Sequence, residues 1–465
     1  MRRFIPLLLM SIFLCGCPRS SQYVRPGMPV PPAWPESSAP GAVAPGAPVP
    51  ANLKWQEFFS DQRLQSVIAQ ALANNRDLRV ATLNIEKVQA LYRIQRAEQY
   101  PTIAASVSAE AYRVPRTVSG ADDNETVGQI TAGLGVASWE LDLFGRIRSL
   151  KSAALERYLA TEQARTATQI SLVAAVANSY LALAADQENL RLARVTLDAQ
   201  QASYDLIQRI RDQGIASDLD LRQAQTQVEA ARVDIARYSG QVALDENALA
   251  LLVGAPVTAG MLPDDLGKVG ALKDVAAGLP SDVLLLRPDI LLAEHQLKAA
   301  DANIGAARAA FFPRISLTVA AGLISSDLTN LFKPAAGTWN FAPQAVLPLF
   351  DSGARKAGYR AAEVDRDMAV AEYERAIQSA FREVSDSLSL RTTLVAQQTA
   401  QESLVNALEE TYRLSEARYK GGIDSYLSVL VAQRALYAAQ QQMVGVRLAR
   451  LSNLVTLYKV LGGGA

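Results

Sequence analysis

Few side chains in this sequence are equipped for covalent chemistry, and its two thiols stand together at the start. Cys15 and Cys17 are the only cysteines among 465 residues, and His295 is the only histidine. Arg2 and Arg3 precede an apolar run from Phe4 to Leu14, which has the length of a secretory hydrophobic segment and is too short to span a bilayer as a helix. The run ends in Leu14-Cys15-Gly16-Cys17, the pattern of a bacterial lipoprotein signal. The expectation is a signal peptide over residues 1–16 and lipid attachment (palmitate or another acyl chain) at Cys17. An ordinary cleaved signal with incidental cysteines is the other reading. After acylation no thiol is left for a disulfide, a metal or nucleophilic work. Pro18 follows Cys17 in place of the Asp that marks retention at the inner membrane, which favours the outer one.

The remaining candidates for catalysis are thin. His295 follows Glu294 in a helical pattern and reads as a surface residue, not a base. Gly133-Leu134-Gly135 lacks the rest of a phosphate loop, and no Walker A, Gly-x-Ser-x-Gly, zinc or dinucleotide spacing occurs. No enzyme, cofactor or metal site is expected. The charges balance at 46 basic and 46 acidic residues, so there is no electrostatic footprint for nucleic acid.

Two carboxylates have a more specific setting. Asp220 follows the turn Gln213-Gly214-Ile215-Ala216-Ser217, and Asp424 lies in the turn Lys420-Gly421-Gly422-Ile423-Asp424-Ser425. Ser217 with Asp220 three residues on is the spacing of a capping box, and Asp424 beside Ser425 suits a helix N-terminus. Capping is one reading for each residue, and a role of the carboxylate at the turn itself is the other.

The elements that position these turns come from an internal duplication. Tyr204 and Tyr412, Gly214 and Gly422, Ile215 and Ile423, Ser217 and Ser425 are each 208 residues apart. Each half runs helix, strand, strand, very long helix, turn, helix. Residues Arg146–Gln213 and Tyr359–Lys420 contain neither Gly nor Pro, and the first would extend about 100 Å as one helix. Val173, Val176, Tyr180, Leu183, Leu190, Leu197 and Tyr204 step by coiled-coil spacing, with polar Gln187, Arg194 and Gln201 between them. A solid coiled coil and a bundle with a wet inner face both fit. As with the leader, no other uninterrupted apolar stretch is long enough for a transmembrane helix.

Between the helices lie alternating segments. Ile103, Ala105, Val107, Ala109 and Ala111 interleave with Ser106, Ser108 and Glu110; Ile315, Leu317, Val319, Ala321 and Leu323 interleave with Ser316 and Thr318. A further strand from Ile130 shifts phase near Ser138, which suggests a bulge, and a fourth over about Trp339–Phe350 is interrupted by Pro343 and Pro348. Each segment is long enough to be a transmembrane strand, although a half-buried soluble sheet alternates equally well. Tyr100, Phe144, Phe311, Phe312 and Phe350 cluster where strands meet helices, as an interfacial aromatic girdle does. Four strands cannot close a barrel; two copies give eight, whose interior is filled by side chains, and three give twelve, with room for a lumen.

The chain resembles the TolC-type outer-membrane factors, particularly the lipoprotein branch of OprM and the NodT-like efflux channels. The resemblance is carried by Ser138-Trp139-Glu140-Leu141-Asp142-Leu143-Phe144-Gly145-Arg146, by Leu279-Pro280-Ser281-Asp282 with Arg287-Pro288-Asp289-Ile290, by Ile304 to Pro313, and by Gly422-Ile423-Asp424-Ser425-Tyr426-Leu427. It covers about residues 20–463. It implies an α+β membrane protein: a trimeric 12-stranded transmembrane β-barrel, four strands per chain, continuous with a long periplasmic α-helical barrel. It implies the outer-membrane exit duct of a tripartite efflux system, of the kind tied to multidrug resistance. The partners implied are two further copies of the chain, membrane lipid, a periplasmic adaptor and an RND-type inner-membrane pump. Gly214, Ile215, Ala216, Gly421, Gly422 and Ile423 become the adaptor-contacting tips; Asp220, Asp424, Arg418 and Tyr419 become the periplasmic gate. The two aperture aspartates of TolC in the second hairpin fall on Ser428 and Val431, so that acidic ring is missing and Asp424 is its nearest replacement. An envelope coiled-coil or adaptor lipoprotein is the competing function, but an adaptor needs one helical hairpin and no alternating strands.

The expected domains are the signal at 1–16, a tether and equatorial segment at 17–60, a first repeat at 61–253, an equatorial linker at 254–280 and a second repeat at 281–465.

Overall fold

The computed structural model describes residues 23–35, 53–120, 122–270, 272 and 281–464. The signal peptide, Cys17 and parts of the tether and linker lie outside the described residues. The chain divides into two compact units. One gathers residues 85–161 and 292–373 with the start of the chain up to Gly27; the other gathers residues 28–84, 162–291 and 374–465.

The first unit holds one antiparallel sheet in the order β1 (Ile103–Val114), β2 (Glu125–Glu140), β3 (Arg314–Ser325), β4 (Gly337–Val346). Directly paired residues share a face, so the register sorts the side chains. One face carries the rows Ile103–Val136–Val319–Phe341 and Ala105–Leu134–Ala321–Trp339. The other carries Ala104–Gly135–Ala320–Asn340 and Ser106–Gly133–Gly322–Thr338. The second face is not only polar but small. A Cβ on Gly133 would stand 2.8 Å from the Ala321 carbonyl oxygen, and one on Gly322 would collide with the carbonyl of Ala132. Backbone crowding of this kind belongs to the concave side of a tightly curved sheet.

The expected phase shift is present: the register slips between Val136 and Trp139, Ser138 has φ 51°, and its N–H donates to Thr318 Oγ1 at 3.2 Å. The fourth strand differs from expectation. It spans Gly337–Val346, with Pro343 inside it opposite Leu317. An outermost strand tolerates the missing donor, whereas Pro348 falls after the chain has left the sheet.

The α-helices longer than a single turn are α1 (Gln62–Asn74), α2 (Arg76–Ala97), α3 (Arg146–Asp212), α4 (Asp218–Val253), α5 (Pro288–Ala309), α6 (Ala354–Lys420) and α7 (Tyr426–Val460). Helices α3 and α6 each run 67 residues, α6 beginning earlier than its Gly-free stretch and carrying Gly358. Both long helices start with the same device. Asp142 accepts from the N–H groups of Ile147 (3.1 Å) and Arg148 (2.9 Å), after Gly145 at φ 81°. Asp351 accepts from Gly353 (3.1 Å) and Arg355 (3.2 Å), with Gly353 at φ 89°. Each carboxylate satisfies donors that the first helical turn leaves free.

In the second unit Phe58, Phe59, Leu64, Ile68, Tyr180, Leu181, Leu249 and Tyr458 are fully buried, Phe58 stacking on Tyr458 at 4.0 Å. Arg287 is buried between Asp289 (2.6 Å), Glu383 (2.9 Å) and the Val460 carbonyl (2.7 Å), so it ties the end of α7 to α6. Although it has no uninterrupted apolar stretch of membrane-spanning length, α3 contains a window long and apolar enough on average to cross a membrane by length and composition. Its apolar run is broken by Asn178 and Ser179, and 56% of the window is buried inside the chain. Val173, Val176, Tyr180 and Leu183 are at most 2% exposed, so this segment is helix-packing core.

Candidate functional site

The two helical turns of the second unit are built alike. In each, a glycine takes a positive φ (Gly214 77°, Gly422 71°) and the chain folds back in a Schellman pair. Gly214 N–H donates to the Arg211 carbonyl (2.8 Å) and Ile215 N–H to that of Ile210 (3.1 Å). Gly422 N–H donates to Tyr419 (2.9 Å) and Ile423 N–H to Arg418 (2.9 Å). Both motifs push an isoleucine outward: Ile215 is 76% and Ile423 66% exposed. Gly421 is exposed as well, while Ala216 turns inward. It packs with Tyr204, Tyr412 and Tyr419 on a buried cluster of Ile207, Leu221, Ala224, Tyr426, Val429 and Leu430.

The four expected gate residues fall around this cluster in two arrangements. Asp220 closes a full capping box: Ser217 N–H donates to its Oδ2 at 3.1 Å and its own N–H donates to Ser217 Oγ at 3.1 Å. Arg418 meets Asp424 with both nitrogens, Nε to Oδ2 at 2.6 Å and Nη2 to Oδ1 at 3.0 Å. Those hydrogen bonds hold the Asp424 carboxyl below the usual carboxylate range. Tyr419 stands 5.4 Å from Tyr426, ring centre to ring centre. Burial, and then the Asp220 charge, raises the Tyr419 hydroxyl. Ser425 begins α7 without a side-chain cap. Sequence reasoning quoted Tyr426 only within a family signature, since its repeat partner Asp218 is not aromatic and gave no further signal.

In the first unit the functional surface is the sheet itself. Strands β1 and β4 are outermost, and apart from Val114 every residue of both is exposed. Two long bare edges are aggregation templates in water and are forbidden in hydrocarbon, where a sheet must close. The apolar rows end in aromatic residues. Phe144 stacks on Phe312 at 4.9 Å, Phe311 meets Tyr359 edge-on at 6.1 Å, and Phe350 is 87% exposed. At the opposite end Trp339, in an apolar row, and Phe332, in the loop before β4, are also exposed, aromatic residues not anticipated as a second girdle because they are divided between strand and loop.

A family model described as outer membrane efflux protein matches residues 67–255 and 279–463. The chain belongs to that family. The toluene efflux pump outer membrane protein TtgC and the antibiotic efflux pump outer membrane protein ArpC, both of Pseudomonas putida, are each 47% identical to it over 468 residues, covering 100% of this chain and 96% of theirs. Among solved structures, the open-state MtrE outer membrane channel of Neisseria gonorrhoeae is 36% identical with a TM-score of 0.86, covering 96% of this chain and 98% of that one. This efflux protein is therefore an outer-membrane channel. Its fold is that of the trimeric TolC-like channels, with four barrel strands per chain and a helical tunnel on the periplasmic side.

The tunnel helices of this family member carry one pair that the sequence did not disclose. Asp186 on α3 lies beside Asp245 on α4, and burial, followed by the Asp245 carboxyl, pushes Asp186 up to about 6. Arg237 and Asn189 oppose the shift. A carboxyl raised on folding binds its proton more tightly in the folded state. Stability is then highest below the unfolded value and falls as pH rises through about 4 to 6. Discounted for solvent screening of a half-buried group, the cost at neutral pH is roughly 1–2 kcal/mol. Asp186→Asn is expected to raise the melting temperature at pH 7.5, with the gain shrinking as the buffer is taken from pH 6 to 4. A gain independent of pH would mean that the pair does not share a proton.

Proposed function

We propose that three copies close into the exit duct of a tripartite efflux pump, receiving cargo from a periplasmic adaptor and an RND-type inner-membrane pump. The observation that carries the trimer is the pair of unpaired edges. If β4 of one copy joins β1 of the next, twelve strands close with the apolar rows outward and the Gly/Ser/Ala rows lining a lumen. The exposed Ile215 and Ile423, with the bare glycines Gly214, Gly421 and Gly422, support the helix tips as the adaptor surface, Ala216 seating them from behind. Asp220, Asp424, Arg418 and Tyr419 form the periplasmic gate in this reading. Toluene and antibiotics are the cargo named for the relatives, and apolar or amphiphilic small molecules are the class proposed here. The channel acts as a passive conduit and not as an enzyme.

Heat-modifiable trimers and ion conductance in planar bilayers test the duct. A purified protein that stays monomeric and never conducts would remove the proposal and leave the envelope coiled-coil alternative. Cys17 is the proposed lipid attachment, secondary to the barrel as an anchor. Cys17→Ala is expected to lose acylation while most of the protein still sediments with outer membrane. Complete release into the periplasm would show that the strands do not span.

A further inference from the structure

We propose that the first unit binds the phosphate of a membrane phospholipid in the cleft between the start of α3 and the end of α5, with Arg308 as its principal cation. The inference rests on the channel reading, which places this cleft at the periplasmic face of the bilayer. The cleft has a volume of about 620 Å³, and its walls include Phe144, Arg148, Ser149, Ser152, Lys298 and Arg308.

Its depth follows from the aromatic stack. Phe144 and Phe312 lie against each other at 4.9 Å where the strands end. Arg148 follows Phe144 by four residues and Arg308 precedes Phe312 by four. Each cation thus stands on the helix side of its ring, Arg148 in the first turn of α3 and Arg308 in the last turn of α5. An interfacial ring marks the edge of the hydrocarbon, and headgroup phosphates occupy the next few ångströms. Arg96, four residues before Tyr100, repeats the spacing at another junction.

The electrostatics single out Arg308. Arg148 is committed to Asp142 at 3.2 Å, and Lys298 to Glu294 at 3.0 Å with its ammonium 5.1 Å from the centre of the Tyr23 ring. Of the acidic lining residues, Glu156 is engaged by His295 at 2.7 Å, and Asp301, about two turns before Arg308 in α5, has an interaction of its own. Arg308 is exposed and has no ion pair among the described residues. The Ser149 and Ser152 hydroxyls can donate to phosphate oxygens, and Phe144 with Ile304 offers an apolar wall to the glycerol end.

A separate observation brings the same cleft to the membrane. Tyr23 lines it, held there because its hydroxyl donates to Glu294 at 3.2 Å and Arg25 grips the same carboxylate at 2.7 Å. Tyr23 is six residues from Cys17, so an acyl chain on Cys17 starts within about 20 Å of the cleft.

The test uses the full-length trimer in detergent, titrated with phosphatidylglycerol and read by native mass spectrometry, with bilayer conductance measured on the same preparation. Arg308→Ala and the milder Arg308→Gln are each expected to bind the lipid about fivefold more weakly. Arg308→Lys should bind nearly as wild type, and conductance should be unchanged in all three. Arg232→Ala, on the exposed side of α4, should leave lipid binding intact. Wild-type lipid affinity in both the Ala and Gln variants would overturn the proposal. So would displacement of the lipid by inorganic phosphate at equal concentration, which would make this a site for free anions. A conducting trimer that binds no lipid refutes this inference alone, whereas a protein that never conducts refutes the channel reading.

Discussion

Val319→Arg is expected to prevent assembly in the outer membrane, whereas Thr131→Arg should give trimers that conduct. Val319 sits between Val136 and Phe341 in the apolar face of the sheet, near the middle of β3. Thr131 lies between Ser108 and Ile324 on the opposite face, which lines the lumen in the trimer. An arginine facing lipid near the bilayer midplane costs roughly 2–4 kcal/mol, and a trimer bears that cost three times. The penalty should also depend on depth. Leu317 shares the outward face but stands closer to the helix end of β3, so Leu317→Arg should be milder, since the cost falls to roughly 0–1 kcal/mol at the interface. Heat-modifiable trimers recovered from outer-membrane fractions measure all three. Equal recovery of Val319→Arg and Thr131→Arg would show the faces to be wrongly assigned.

Much of this wall was readable because β-structure writes its two faces into alternate residues. The phase slip at Ser138 was visible for the same reason, since one extra residue exchanges the faces. What alternation could not supply was register. Gly133 and Gly322 look unremarkable in their own segments, and their meaning appears only when pairing sets them opposite each other. The fourth strand was misplaced because Pro343 resembles an interruption. An edge strand accommodates it, and Trp339 and Phe341 fix the outward phase on either side of Asn340.

The helix turns were legible through the duplication. Two glycines 208 residues apart, each followed by isoleucine, take the same left-handed conformation and the same pair of backbone hydrogen bonds. Their polar neighbours were less so, because the repeat is not exact there: Ser217 caps α4 through its side chain, while Ser425 does not cap α7. Asp424, which stands where the first turn has Ala216, pairs with Arg418. Asp186 and Asp245 left no trace in the sequence, being brought together by helix packing and by no local spacing. Arg308 was quoted only as part of a family signature; its proximity to Tyr23 and Arg148 required the fold.

The capping box at Asp220 turns the gate into a problem of separating charge from hydrogen bonding. In a trimer three copies of Asp220 would face the closed tip, while each Asp424 is neutralised by its own Arg418 at 2.6 Å. The proposed gate therefore carries its uncompensated negative charge at Asp220. Asp220→Asn removes that charge yet keeps an oxygen able to accept from Ser217 N–H. Ser217→Ala keeps the charge and removes the oxygen that accepts from Asp220 N–H. Loss of such a cap costs about 0.5–2 kcal/mol, so Ser217→Ala should melt earlier while its single channels are still blocked by multivalent cations as in wild type. Asp220→Asn should show the reverse: an unchanged melting temperature, with block weakened because the ring of charge that attracts the cation is gone. Asp424→Ala would release Arg418 and make the tip more positive, so block should weaken there too, by repulsion. If Asp220→Asn is blocked like wild type and Ser217→Ala alone differs, through stability only, Asp220 is a helix cap and the gate lies elsewhere.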